Sequence, residues 1–298
     1  MKDNLYDIIL NGVRDGIYYV DSERKINFWN DSAFNITGYK REEIIGKHCY
    51  DNILDHIDND GNHLCFDGCP LINTMKDGEP REVEVYLKHK KGYRVPVSIH
   101  CKPVIKDGKI IGAVESFTDM SPHNVILGNK NELVKQAYTD TLTGLPNRRY
   151  LEKHLEAVML KNRDLGIEIG IACFDIDFFK KVNDNYGHDI GDEVLEMVSQ
   201  VFIKSVRDND IIARSGGEEF IGVFEGVTLD DLKNTLERIR ILIEHSITKV
   251  GNKELSVTIS IGGAMANKSE SIEEVIKRAD NSLYEAKETG RNKVLIGL

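Results

Sequence analysis

Residues 166–177 read Gly166-Ile167-Glu168-Ile169-Gly170-Ile171-Ala172-Cys173-Phe174-Asp175-Ile176-Asp177. From Gly166 to Phe174 the run is nearly continuously apolar, the pattern of a buried strand. It ends on acids. The C-termini of strands in α/β sheets are where sites form, because backbone and side chains emerge there together. Carboxylates at such an edge suit Mg²⁺, a hard ion that takes oxygen ligands and shares them with substrate phosphates. Capping of a following helix is the other role open to Asp177.

Working outward, Val194, Leu195, Val198, Val201 and Phe202 recur at helical spacing. Ile211 to Arg214 and Glu219 to Phe224 read as short strands around Ser215-Gly216-Gly217-Glu218. The Gly216-Gly217 pair offers positive φ for a tight turn and lets backbone approach a ligand. Glu218 and Glu219 are costly neighbours unless they are solvated or neutralised, and a metal ion would neutralise them. A plain exposed hairpin is the alternative. A helix is expected over Leu229 to His245 and a strand over Leu255 to Ile261. Ser271 with Glu274 forms a capping-box pattern for a helix reaching Glu288 and ending at Gly290, and Val294 to Ile296 closes as a strand. The result is a sheet covered by helices.

The first half reads differently. Gly16 to Val20 and Lys25 to Trp29 flank a polar turn, short helices fall between Asp31 and His56, and strands are expected over Glu82 to Lys88, Val95 to Val104 and Ile110 to Phe117. Lys106-Asp107-Gly108-Lys109 is a hairpin turn. An antiparallel five-stranded sheet with small helices satisfies this pattern, so the chain as a whole reads as α+β. Residues 121–136 are polar and weakly helical and read as a signalling linker helix or a plain connector.

The 298 residues suggest about two domains. A formal net charge of −10 disfavours nucleic acid polymers and anionic membrane surfaces, which need a clustered basic face. No apolar run is long enough to span a bilayer and Met1 to Asp7 is unlike a signal peptide, which gives a cytoplasmic expectation with reduced cysteines.

Three blocks, Asp175 to Asp184, Gly187 to Asp192 and Arg214 to Phe220, closely resemble the GGDEF family of diguanylate cyclases. So do Leu142 to Arg149, Ser260-Ile261-Gly262 and Ala279 through Asn292. The resemblance covers about 137–298 and implies a fold like the palm of nucleotide polymerases, ferredoxin-like in plan. It implies that Asp175 and Glu218, with the carbonyl of Ile176, hold Mg²⁺ (or Mn²⁺), and that Asn183 and Asp192 bind the guanine edge. Phe178, Phe179 and Lys180 would form the turn holding the triphosphate, Lys287 and Arg291 a phosphate clamp one helical turn apart, and Gly216 and Gly217 the turn beneath the nucleotide. Glu218 replaces the aspartate often found at the motif's third position; both forms occur in active members. The implied reaction joins two GTP into cyclic di-GMP across a homodimer, each domain supplying half of the site. Arg207 and Asp210 match the family's product-inhibition site, with Arg238 as a second guanidinium; a surface salt bridge is the plain alternative. A non-catalytic receptor for GTP or cyclic di-GMP, or a mixed GMP–AMP cyclase, are the competing readings. Asp192 argues against the latter, because a carboxylate favours guanine's N–H donors.

Phe28-Trp29-Asn30-Asp31-Ser32-Ala33-Phe34, Thr37-Gly38-Tyr39, Glu43 to Lys47 and Glu115 to Asp119 resemble PAS domains over about 8–120. The expected organisation is therefore a PAS-like sensor at 1–120, a linker at 121–136 and a cyclase domain at 137–298. A PAS fold does not name its ligand. Cys49, His63, Cys65 and Cys69 form a candidate metal or redox group in the sensor, with His56 in the same stretch, Cys101 later in the chain and buried structural thiols as the alternative. Cys173 reads as core packing.

Overall fold

The computed structural model describes residues 2–51, 53–65, 68–121 and 137–297. The expected linker helix, beyond Ser121, lies outside them. Contacts divide the chain into Met1–Ser121 and Pro122–Leu298.

The first unit holds β1 (Gly16–Asp21), β2 (Ile26–Trp29), β3 (Arg81–Lys88), β4 (Arg94–Lys106) and β5 (Lys109–Asp119). They form an antiparallel sheet in the order β2-β1-β5-β4-β3. Helices α1 (Lys2–Asn11), α2 (Asp31–Thr37), α3 (Arg41–Ile44) and α4 (Pro70–Asp77) accompany it. Asp107 and Gly108 both take positive φ, 53° and 73°, as a two-residue hairpin demands. Tyr18, Trp29 and Phe117 meet in the core with ring centroids 5.8–6.4 Å apart.

The second unit runs α5 (Arg148–Leu165), β6 (Ile169–Ile176), α6 (Phe179–Tyr186), α7 (His188–Ser205), β7 (Ile211–Gly216), β8 (Glu219–Glu225), α8 (Leu229–Glu244), β9 (Thr248–Val250), β10 (Lys253–Leu255), β11 (Ile259–Met265), α9 (Ile272–Glu288) and β12 (Val294–Gly297). Its five-stranded sheet has the order β12-β11-β6-β8-β7, with β6 central and every residue of it buried. The expected strand start at Gly166 moves to Ile169, because Gly166 at φ 69° caps α5. The expected strand over Leu255 to Ile261 divides: Leu255 belongs to the separate β9–β10 ribbon, and β11 begins at Ile259. One face of the sheet meets α5 and α9 through Leu151, Leu155, Val158, Cys173, Val275, Ala279 and Leu283, so Cys173 is packing. Phe174 and Phe220 meet Phe202 of α7 edge-on, 5.1 and 5.0 Å between centroids, on the other.

Two glycines set how closely helices approach. A Cβ on Gly262 of β11 would stand 2.1 Å from both Ala279 O and Leu283 N of α9. A Cβ on Gly191 of α7 would stand 2.0 Å from Asn183 Oδ1 of α6.

Candidate active site

β6 carries Asp175 to the end of the central strand, beside Glu219 of β8 and Ser260 of β11 in register. The carboxylate of Asp175 is largely buried and pairs with the Lys287 ammonium of α9 at 2.7 Å. Burial pushes its pKa up; Lys287 pulls it down, and Glu218 and Glu219 push it up again. Two further carboxylates, Glu218 and Glu219, thus bear on the Asp175–Lys287 pair.

Glu218 is the second residue of the β7–β8 turn, and its carbonyl accepts from Ile176 N at 3.5 Å. Only Gly217 takes positive φ, 52°; Gly216 does not, contrary to the expectation for the pair, and a Cβ on either would meet open space. The turn is held from behind. Arg214 donates through Nε to Gly217 O at 2.9 Å and through Nη1 to Asp140 Oδ1 at 3.1 Å. Asp140 also accepts from Thr143 N and Oγ1 at 2.9 and 2.6 Å. The Leu142 to Arg149 block therefore belongs to the loop that braces the hairpin, a role the sequence did not reveal although Asp140 and Thr143 have turn-forming spacing.

Asp177 does not cap α6. Its carboxylate accepts from Thr258 Oγ1 (2.7 Å), Ser260 Oγ (2.6 Å) and Asn292 N (3.0 Å), tying β6, β11 and the loop after α9 together. The cap position falls to Phe178, at φ 56° without a side-chain cap bond. This left-handed geometry in a non-glycine residue leaves the Phe178 ring 52% exposed. Lys181 Nζ and Arg291 Cζ lie 4.3 and 4.6 Å from its centroid. Phe179 is buried and Lys180 exposed. Arg291 is not one helical turn along α9 from Lys287: the helix ends at Glu288, Arg291 takes φ 63°, and its N–H returns to Ala286 O at 2.9 Å. Asn292, at φ 46°, is fixed by Arg240 and Glu244, both at 2.8 Å. Sequence reading missed Asn292, Thr258 and Ser260 as the anchors of this corner.

Asn183 on α6 is half-buried and lies against Gly191, next in sequence to the exposed Asp192. Farther off, Asp210 is buried and turned onto its own backbone: its Oδ2 accepts from Arg207 N at 3.3 Å while its N–H donates to Arg207 O at 3.0 Å. Burial raises its pKa. Arg207 is exposed, and Arg238 donates to Ser205 O at 2.8 Å with its Nε unpartnered.

In the first unit, Cys49, Cys65 and Cys69 line one cavity together with His56, Arg24, Tyr18 and Glu115. His63, the expected ligand, is instead on Asp55 Oδ1 at 2.7 Å, where Arg94 also pairs with the same carboxyl group at 2.7 Å. Among the described residues, no three His, Cys, Asp or Glu side chains already converge at metal-binding spacing.

The Diguanylate cyclase, GGDEF domain profile matches residues 137–293, more than half of the chain, and a PAS domain profile matches 14–122. The chain belongs to the GGDEF family of diguanylate cyclases. Members of this family use divalent metal ions. Similar proteins include the response regulator PleD of Caulobacter vibrioides, 42% identical over 170 residues, 56% of this chain and 37% of that protein. Diguanylate cyclase DgcM of Escherichia coli is 32% identical over 274 residues, 89% of this chain and 62% of its own length. The chain thus spans less than two thirds of either relative. Among solved GGDEF structures, diguanylate cyclase SiaD of Pseudomonas aeruginosa, solved with its activator SiaC, superposes with a TM-score of 0.54 at 37% identity, covering 55% of this chain and 64% of that one. The coiled coil and GGDEF domain of Caulobacter crescentus DgcB, in complex with c-di-GMP, gives 0.54 at 33%, covering 55% and 88%. Among the described residues no helix is long and apolar enough to cross a membrane.

Proposed function

We propose that this chain condenses two GTP into cyclic di-GMP and two pyrophosphates, as a homodimer of cyclase domains (137–298) governed by the PAS unit (1–120) through 121–136. The observation that carries this reading is the nearness of Asp175, at the end of the central strand, to Glu218 in the β7–β8 turn, with Lys287 on Asp175 and Arg291 at the same corner. The donor set fits a hard divalent ion, since oxygen ligands predominate and the carboxylates outnumber the one ammonium among them. Asp175, Glu218 and the Ile176 carbonyl would hold Mg²⁺ or Mn²⁺, which would neutralise triphosphate charge when bound.

The chain's own groups do the rest. Amides at Phe178, Phe179 and Lys180, opening α6, face phosphate oxygens. Lys287 exchanges Asp175 for phosphate, and Arg291, held over Phe178, contributes a second cation. Asn183 and Asp192 read guanine, and the Gly216-Gly217 turn lies beneath the nucleotide without side chains in the way. Each 3′-oxygen bonds to the facing nucleotide's α-phosphorus, the bond from that phosphorus to the β-phosphate's bridging oxygen breaks, and pyrophosphate leaves; the hydroxyl proton passes to a carboxylate or to solvent. Positioning and electrostatics supply the acceleration. The exposed Arg207 guanidinium, with Arg238 and the turn formed by Asp210, is read as a product-inhibition site.

The test is incubation of purified protein with GTP, Mg²⁺ and a cyclic di-GMP phosphodiesterase that clears inhibitor, with products identified by mass. Wild type is expected to yield cyclic di-GMP, seen as its linear cleavage product, and Glu218→Gln to lose at least about 100-fold in rate. Absence of product at high protein concentration would favour a receptor role; a mixed dinucleotide from equal GTP and ATP would reassign Asp192.

A further inference from the structure

Arg291 and Asn292 follow each other in the left-handed region, at φ 63° and 46°, and Gly290 before them also takes positive φ, 117°. Such backbone is unfavourable for residues with a Cβ and persists only where the surroundings hold it. Here the holding groups are specific. The N–H of Arg291 donates to Ala286 O at 2.9 Å, and the N–H of Asn292 donates to Asp177 Oδ2 at 3.0 Å. Both peptide planes that flank the Arg291 Cα are thereby pinned, which fixes the direction in which its side chain leaves the backbone. The Asn292 side chain is clamped as well: Arg240 Nη1 donates to its Oδ1, and its Nδ2 donates to Glu244 Oε1, both at 2.8 Å.

Asp177 is the fixed end of this arrangement. It is 4% exposed, and its own N–H donates to Thr258 O at 2.9 Å. Ser260 Oγ on Oδ1 and Thr258 Oγ1 on Oδ2, at 2.6 and 2.7 Å, set the carboxylate in one orientation. The next residue in the chain is Phe178, at φ 56°, whose ring centroid lies 4.6 Å from Arg291 Cζ. Asp177 thus governs both sides of that contact. Its backbone leads into Phe178, and its carboxylate pins the peptide that follows Arg291.

We propose that Asp177, together with Asn292, is a positioning residue for the substrate. It aims the Arg291 guanidinium, over Phe178, at the phosphates of GTP and does not touch the nucleotide itself. This role rests on the GTP reading of the site given above and adds to it the groups that direct the cation. Ordering a long, flexible arginine costs conformational entropy at the moment of binding. A side chain whose Cα is already pinned on both sides, and whose head already rests on a ring, loses less.

Two readouts on the full chain test this. Calorimetric titration with Mg²⁺ and a non-hydrolysable GTP analogue reads affinity, and hydrogen exchange over 289–293 reads the anchor without nucleotide. Asp177→Ala is expected to weaken binding of the analogue about 10-fold, and Arg291→Ala by about as much. The double variant should bind no more weakly than Arg291→Ala alone, because Asp177 acts through Arg291. Exchange over 289–293 should quicken at least about 10-fold in Asp177→Ala. Asp177→Asn should recover most of the affinity, since its amide oxygen still accepts from Asn292 N and its NH₂ can meet Ser260 Oγ. Melting temperatures separate lost folding from lost aim. Should Asp177→Ala not fold, two variants at Asn292 carry the test. Valine resists φ 46° and should weaken binding about 10-fold, whereas glycine adopts it freely and should weaken binding less. Additive losses in the double variant, Asp177→Asn as weak as Asp177→Ala, Asn292→Gly as weak as Asn292→Val, or unchanged exchange in Asp177→Ala would each overturn the positioning role. Wild type that binds no analogue, or Arg291→Ala that binds it as wild type does, would instead overturn the GTP reading of Arg291, and the exchange measurement would still decide whether Asp177 holds the loop.

Discussion

At the scale of single residues, Gly191 shows how an unremarkable position can govern a site. Alanine is ordinarily the better helix former by about 1 kcal/mol. Here its Cβ would sit 2.0 Å from Asn183 Oδ1 and force that amide out of place. Gly191→Ala should therefore raise KM for GTP by about 10-fold, the worth of one or two hydrogen bonds, while the melting temperature holds or rises. A melting temperature that fell with an unchanged KM would show that Asn183 does not contact substrate. Asp177 teaches the opposite lesson. As a lone acid between strand and helix it offered a capping role to the sequence reader, yet it serves three donors from Thr258, Ser260 and Asn292, all more than 80 positions away in the chain. No local pattern carries such a tie.

At the scale of elements, the buried strand, its acidic end, the capping box at Ser271 and the Asp107-Gly108 hairpin were all legible, because each rests on local chemistry: periodicity, a reciprocal cap, a turn needing positive φ. What stayed hidden was set by packing. Arg291 leaves the helix that also bears Lys287, and only its left-handed φ returns it to the Phe178 ring. His63 lies on Asp55 while His56 lines the cavity with Cys49, Cys65 and Cys69, a difference that spacing in the sequence does not carry. The seat of α9 on β11 is another such contact. Gly262→Ala would drive a methyl into backbone atoms of Ala279 and Leu283, which cannot rotate away. A loss of about 3 kcal/mol in unfolding free energy is expected. The helix that carries Lys287 would be displaced as well, so a folded fraction should bind GTP more weakly. Chemical denaturation with parallel nucleotide titration checks both.

For the whole molecule, the proposed chemistry needs two cyclase domains to face each other. Specific activity should then rise with protein concentration and level off as dimers fill, with product held low by a phosphodiesterase. A rate strictly proportional to protein over about 100-fold in concentration, spanning values below any measured dimer dissociation constant, would contradict a site shared between chains. The net charge of −10 does not obstruct nucleotide binding, because Lys181, Lys287 and Arg291 gather at one corner.

The order β12-β11-β6-β8-β7 has a consequence for how the cyclase domain loosens. β6 is bonded on both sides and wholly buried, so its amides belong to the segment that exchanges with solvent deuterium only through global opening. Asp175 is anchored there. The residues that complete the corner hang from more peripheral pieces: Gly217 from the turn that joins edge strand β7 to β8, Arg291 from the loop before edge strand β12. Fraying at either margin disperses the site while the central carboxylate stays seated, so the domain can forget its substrate well before it forgets its fold.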